Sequence, residues 1–260
     1  MVSGSSTADL FTHTFYYSTE TEANRNYTVC YDKKALTTLW VAYPIASKHL
    51  GSVDRTDDWS YVSSSLLAES LQPSVPSGSF YNRASGGSNN FARGHILPSA
   101  SRTASTTMNQ QTFLSVNIVP QIHDNFNGGV WMYLEDAIRS RVKAGEEIYV
   151  VTGTMCPQAN DGNGSFTMEA TYDKSGKKIP APRYFYKVVL KVSKSGSTVT
   201  SANAIGFWFT NKAHAGANYY DSTFVKSVDQ IESLTGLDFF VNLPDNVEVS
   251  AEANKTVWWN

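Results

Sequence analysis

The chain is poor in cysteine and has no surplus of charge of either sign, and both shortages narrow what it can be. Cys30 and Cys156 are the only cysteines in 260 residues. With no metal-ligand spacing between them, they read as buried free thiols rather than as a disulfide framework or a zinc site. Lys and Arg total 21 against 23 Asp and Glu, a formal net charge of -2. A broadly basic face for a polyanion is therefore missing, and any phosphate-binding patch has to be local. Arg83, Arg93, Arg102, Arg139 and Arg141, near the middle of the chain, are candidates for such a patch. No apolar run reaches the roughly 18 to 20 residues of a membrane span. Met1-Val2-Ser3-Gly4 lacks the basic-then-apolar pattern of a signal peptide. Low charge with abundant Ser, Thr, Asn and Tyr suits an exported protein: secreted, periplasmic or at a cell surface. G-x-S-x-G, Walker A, H-E-x-x-H and C-x-x-C are all absent, which removes the entry points for several common hydrolase, nucleotide and zinc chemistries.

What is present is enough for a full core: 41% hydrophobic and 13% aromatic residues in a chain long enough to bury them. Tyr27 to Pro44 reads as two β segments around the polar turn Asp32-Lys33-Lys34. Residues 72 to 90, rich in Pro, Ser, Gly and Asn, read as loop, and Thr112 to Val119 as a strand. From Asn127 to Lys143 the apolar positions Trp131, Leu134, Ile138 and Val142 recur at spacings of three and four, which predicts a helix with Gly145 as its C-cap. Glu147 to Gly153, Arg183 to Val192 and Ala204 to Thr210 read as buried strands, and Ser227 to Gly236 as a short amphipathic helix. No internal repeat or linker divides the chain. The expectation is an N-terminal extension over 1–26 and a single α+β domain over 27–260, built on a central, largely antiparallel sheet flanked by helices.

Of the five histidines, His95 stands in the most suggestive setting, with Arg93 two residues before it and Gly94 between. Phosphodiester hydrolysis needs a neutral imidazole as base and a cation for the phosphate, and a guanidinium presents a planar fork of donors to phosphate oxygens. Downstream, Asn127 opens the predicted helix while Glu135 and Arg139 border its buried stripe. A hard cation such as Mg²⁺ takes oxygen ligands and keeps several waters, so an asparagine carbonyl backed by a carboxylate is a sufficient protein contribution.

The runs FARGHILPSASR and FLSVNIVPQIHDNFNGGVWMYLEDAIR resemble the DNA/RNA non-specific endonuclease family, which has a ββα-metal active site. Similarity continues through VVTGTM, RYFYKVVL, AIGFWF and SVDQIESLTGLDFFVNLP, from about residue 27 to 245. The resemblance implies a ββα-metal fold and metal-dependent hydrolysis of DNA and RNA to 5′-phosphate products, with Mg²⁺ as cofactor and Mn²⁺ as a substitute. By position, His95 matches the general base and Arg93 the arginine of the R-G-H turn. Asn127 matches the metal ligand, and Glu135 the glutamate that reaches the metal through water. Arg139 matches a phosphate-side arginine, and Asn117 an asparagine that shapes the site. Arg55, in VDRTDDW, matches an upstream phosphate-binding arginine over a short stretch. Ala92 stands where the family commonly has aspartate. That departure keeps open a second expectation, a weakly active or inactive nucleic-acid-binding protein on the same fold. Homodimerisation and protein partners are left open by the sequence.

Overall fold

A computed structural model describes residues 5–75, 80–83, 91–156 and 170–255. Its twelve strands are β1 (Leu10–Tyr16), β2 (Arg25–Asp32), β3 (Thr37–Ala46), β4 (Phe80–Arg83), β5 (Phe91–His95), β6 (Ile118–Ile122), β7 (Glu147–Met155), β8 (Ala170–Tyr172), β9 (Lys178–Pro180), β10 (Tyr184–Ser195), β11 (Thr198–Thr210) and β12 (Val225–Lys226). The four α-helices are α1 (Thr106–Gln111), α2 (Met132–Ser140), α3 (Val228–Thr235) and α4 (Asp245–Glu252). Seven strands form one antiparallel sheet in the order β1-β2-β3-β7-β10-β11-β12, and five form a second in the order β6-β5-β4-β8-β9.

The large sheet is apolar on both faces, and each face has its own cover. Val29, Val41, Ile45, Val150, Phe185, Val189 and Phe207 pack on one side against Phe91 and Val119 of the small sheet and Trp131, Leu134 and Ile138 around α2. On the other side Tyr186, Val188, Leu190 and Ala204 meet Val228 and Ile231 of α3, Phe239, and Ala251 of α4. Alternation along β10 sends odd-numbered residues to the first core and even-numbered ones to the second, as the two-residue period of a strand requires. α3 is delimited as the sequence predicts. Ser227 Oγ accepts from the Gln230 amide while Gln230 Oε1 accepts from the Ser227 amide, and Gly236 closes the helix at φ 69°.

Five expectations are corrected. The sheet begins before residue 27, because β1 pairs with β2 from Leu10↔Asp32 onward and Phe15 is buried. The strand expected over 112–119 is instead a Thr112 turn after α1 and a one-turn helix, Ser115–Asn117, with β6 starting at Ile118. The helix expected from Asn127 becomes regular only at Met132. Asn125 has φ 58° and Gly129 has φ -141°, ψ -120°, so His123–Trp131 is an irregular helical turn. Gly145, at φ 78°, sits in the turn before β7 and does not cap α2, which closes at Ser140–Arg141. Of the stretch read as loop, 76–79 and 84–90 lie outside the described residues, and 80–83 is strand β4, paired with β5.

Candidate functional site

β5, β6 and α2 form a ββα unit, and its geometry starts at Gly94. A Cβ there would lie 2.5 Å from Gln121 Oε1 and 2.6 Å from Gln121 Cβ. Only glycine leaves room for the Gln121 side chain to cross the strand. Gln121 is fully buried, and its Oε1 accepts from Asn127 Nδ2 at 2.7 Å. That bond fixes the Asn127 amide with its nitrogen inward, and no described residue engages Asn127 Oδ1. The R-G-H end of β5 and the asparagine are thus joined through one glutamine, whose own Nε2 is buried without a partner among the described residues.

Arg93 and His95 lie on one face of β5, opposite Pro120 and Ile118 of β6. The Arg93 guanidinium stacks 3.5 Å from the centroid of Trp59 and donates to the Val75 carbonyl at 2.8 Å. The His95 ring meets Trp59 and Phe113 edge-on, at 5.2 and 4.9 Å between centroids. Arg55 lies over Phe113 at 4.7 Å, paired with Asp57 and donating to Ser99 Oγ at 2.9 Å. Burial, then the positive charges of Arg55 and Arg93, hold the imidazole pKa down at about 3, against a weaker opposing effect from a hydrogen bond with the Arg93 backbone. The ring is therefore neutral at physiological pH, and its Nε2 is buried without a partner among the described residues.

Asn117 plays a different part. Its Oδ1 accepts from the Leu97 amide at 2.9 Å, and its Nδ2 donates to the carbonyls of Leu97 and Thr112 at 2.9 and 2.7 Å. The side chain is wholly buried and committed to main chain, so it clamps the segment leaving His95 and offers no contact to a substrate. Arg102, a candidate surface cation in the sequence, is also fully buried and holds Asn26, Pro44 and Ser101. Arg141 donates to the Ala137 carbonyl at 2.8 Å, and the Arg83 side chain lies outside the described residues.

Glu135 and Arg139, one turn apart on α2, face a third group. Glu135 Oε1 is 3.6 Å from Nζ of Lys187, a lysine with 0% side-chain exposure on β10. Lys187 Nζ donates to Thr152 Oγ1 at 2.9 Å and sits 4.3 Å from the Trp131 centroid. Burial lowers the Lys187 pKa to about 8 despite Glu135, while burial raises that of Glu135 against the pull of Lys187 and Arg139. Arg139 is paired with Asp136 and keeps Nη1 buried without a partner. Trp59, Phe113, Gln121 and Lys187 escaped the sequence reading. All four nevertheless lie within VDRTDDW, FLSVNIVPQIHDNFNGGVWMYLEDAIR and RYFYKVVL, runs that carry the resemblance.

Comparison with known proteins agrees with this geometry. The family described as DNA/RNA non-specific endonuclease matches residues 6–246. A "Nuclease" of Nostoc sp. is 33% identical over 237 residues, covering 87% of this chain and 75% of that protein. "Nuclease EXOG, mitochondrial" of Mus musculus is 30% identical over 230 residues, covering 86% of this chain and 58% of that one. Among solved structures, the one titled "Crystal structure of the EndoG/EndoGI complex: Mechanism of EndoG inhibition" superposes with a TM-score of 0.61 at 18% identity, over 85% of each chain, a likeness of fold. With a match across nearly all its length and the ββα unit in place, this chain belongs to the DNA/RNA non-specific endonuclease family.

Proposed function

We propose that the chain is a magnesium-dependent, sugar-non-specific endonuclease that cuts DNA and RNA to 5′-phosphate and 3′-hydroxyl ends, with His95 as general base. The observation that carries this reading is His95 itself: a neutral imidazole whose Nε2 has no partner, flanked by two guanidinium groups. An unpaired buried nitrogen is costly in a structural histidine and useful in one that must take a proton.

The donor set fits a hard divalent cation. Asn127 presents an uncommitted amide oxygen, and Glu135 adds a carboxylate to act through water, with no sulfur or imidazole ligand among them. Asn127 would hold the ion directly and Glu135 would accept from its water shell. When bound, Mg²⁺, or Mn²⁺ in its place, supplies positive charge to a nonbridging phosphate oxygen and to the departing 3′ oxygen. Arg93, Arg55 and Arg139 orient the phosphate through their guanidinium groups. His95 takes a proton from the attacking water at Nε2. Asn117 keeps the ring in place through Leu97 and touches no substrate. Contacts to phosphate rather than to bases make the cleavage indifferent to sequence and weaken it as salt rises.

His95→Ala should lose about 10² to 10⁴ in rate on supercoiled plasmid and on RNA while keeping the wild-type melting temperature. Near-wild-type cleavage by the folded variant would refute the assignment.

A further inference from the structure

On the face of the large sheet opposite the ββα unit, α3 and α4 bring acidic side chains together. One carboxylate oxygen each from Asp229, Glu232 and Glu252 lies within 4.8 Å of the other two. That separation is no greater than that of two oxygens on opposite sides of a Ca²⁺ ion, at roughly 2.4 Å each. Asp238 and Glu248 add to the same negative field.

Glu252 is the anomaly in the group. It is only 6% exposed, and its Oε1 is buried without a hydrogen bond or ion pair among the described residues. Glu248 likewise keeps a buried Oε1 without a partner among the described residues. A buried carboxylate is ordinarily paired or bound to a metal, since an unpaired charge is among the most expensive groups a protein can bury. The charges that act most strongly on Glu252 are all acidic. Burial first, then Glu232, Glu248, Asp229 and Asp238, push its pKa up to about 8. Glu232 spends one oxygen on the Phe239 amide, at 2.8 Å, which anchors the carboxylate while leaving its other oxygen free to face the cluster.

From this geometry we infer that Asp229, Glu232 and Glu252 form a Ca²⁺ site, distinct from the centre on the other face, which ties the end of α4 to the start of α3. Carboxylates on two separate helices suit the larger ion, which accepts irregular oxygen sets; Mg²⁺ demands near-octahedral geometry and holds its waters more tightly. Bound there, the ion would fasten the C-terminal helix to the second core, where Ala251 packs against the sheet.

The test uses full-length protein carrying Asn127→Ala, so that an ion at the ββα centre cannot produce the response. In that background Ca²⁺ at about millimolar concentration should raise the melting temperature by several degrees, through preferential binding to the folded state. Adding Glu252→Gln, or separately Asp229→Asn, should abolish the rise. Glu252→Gln relieves the uncompensated charge, so it should melt no lower than its parent without calcium. No calcium response in the Asn127→Ala protein would overturn the site and mean that Glu252 is simply protonated. An undiminished response after Glu252→Gln, or an equal one to Mg²⁺, would overturn it too. None of these outcomes depends on cleavage, so the proposal for His95 stands or falls separately.

Discussion

Lys187→Met would leave the Glu135 carboxylate buried against α2 without its countercharge. At 3.6 Å and an effective dielectric near 20, the attraction within the pair is about 5 kcal/mol. Against it stands the cost of burying the charges. The Lys187 pKa stays lowered, to about 8, even with Glu135 beside it, so burial costs this charge more than the attraction returns, and Glu135 adds its own penalty. The pair as a whole therefore contributes little to stability, but losing one member is expensive, about 3 to 5 kcal/mol in comparable buried pairs. The pH dependence has a definite sign. Glu135 already has a raised pKa, and removing Lys187 raises it further. The folded variant then binds more protons than the unfolded chain above the ordinary carboxylate range, and its stability falls as pH rises through that window. Urea unfolding should thus show a deficit of about 3 to 5 kcal/mol near pH 8 that shrinks toward pH 5 as Glu135 takes up a proton. Lys187→Met with Glu135→Gln should recover most of the deficit at pH 8 and still cleave poorly, because the carboxylate is gone. A deficit independent of pH, or a double variant as unstable as the single one, would show that Lys187 acts through packing and not through Glu135.

Gly94→Ala should displace Gln121, and with it the Asn127 amide. The divalent-metal concentration for half-maximal cleavage should rise about 10- to 100-fold while far-ultraviolet circular dichroism is unchanged; an unaltered metal requirement would contradict the Gln121 bridge. Asn117→Ala removes three hydrogen bonds to buried main chain, which predicts a loss of about 2 to 4 kcal/mol in chemical denaturation. Asn117→Asp should not restore it, since an ionised carboxylate cannot donate to Leu97 and Thr112. His49 is buried, with its pKa lowered to about 3 by burial and by Arg102 and Lys48. Between pH 6.5 and about 3 the unfolded chain binds a proton that the folded one refuses, so stability drops as pH falls, by about 2 kcal/mol at pH 5 relative to pH 8. His49→Asn, keeping an acceptor for the Ala46 amide, should flatten that acid limb, and an unchanged limb would place the sensitivity elsewhere.

The parts of the fold that the sequence discloses are those where one force dominates. The strands β2, β3, β7, β10 and β11 are runs of β-branched and aromatic residues, and α3 carries both of its caps, so local preference and tertiary packing agree. Around the site they diverge. Asn127 follows the helical spacing that leads to Trp131, yet Asn125 and Gly129 adopt backbone angles that postpone the helix to Met132. α1, of sequence TTMNQQ, has no apolar stripe to announce it and is started by Ser105 Oγ accepting from the Met108 amide. For the site, the motif letters brought out His95, Arg93, Asn127 and Glu135. Of the groups that hold them, Gln121 is only six residues from Asn127, but Trp59 and Lys187 work across long sequence gaps. Trp59 reaches Arg93 and His95 from 34 and 36 positions away. Lys187 lies inside RYFYKVVLKV, where strand alternation says only that it faces the sheet's first core. The N-terminal strand was missed for the opposite reason. LFTHTFY is half polar, and its place is set by the β2 edge that it completes.

The contact between Gly94 and Gln121 has a consequence for how a metal ion arrives. Because the glutamine that orients Asn127 rests on the strand carrying His95, the proposed base and the proposed metal ligand are joined before any ion is bound. Among the described residues, metal association then has little conformational entropy to lose, so affinity is governed by desolvating the ion rather than by folding around it. Such a centre should fill quickly and release its ion without unravelling, and the apoprotein should persist as a folded reservoir waiting for metal.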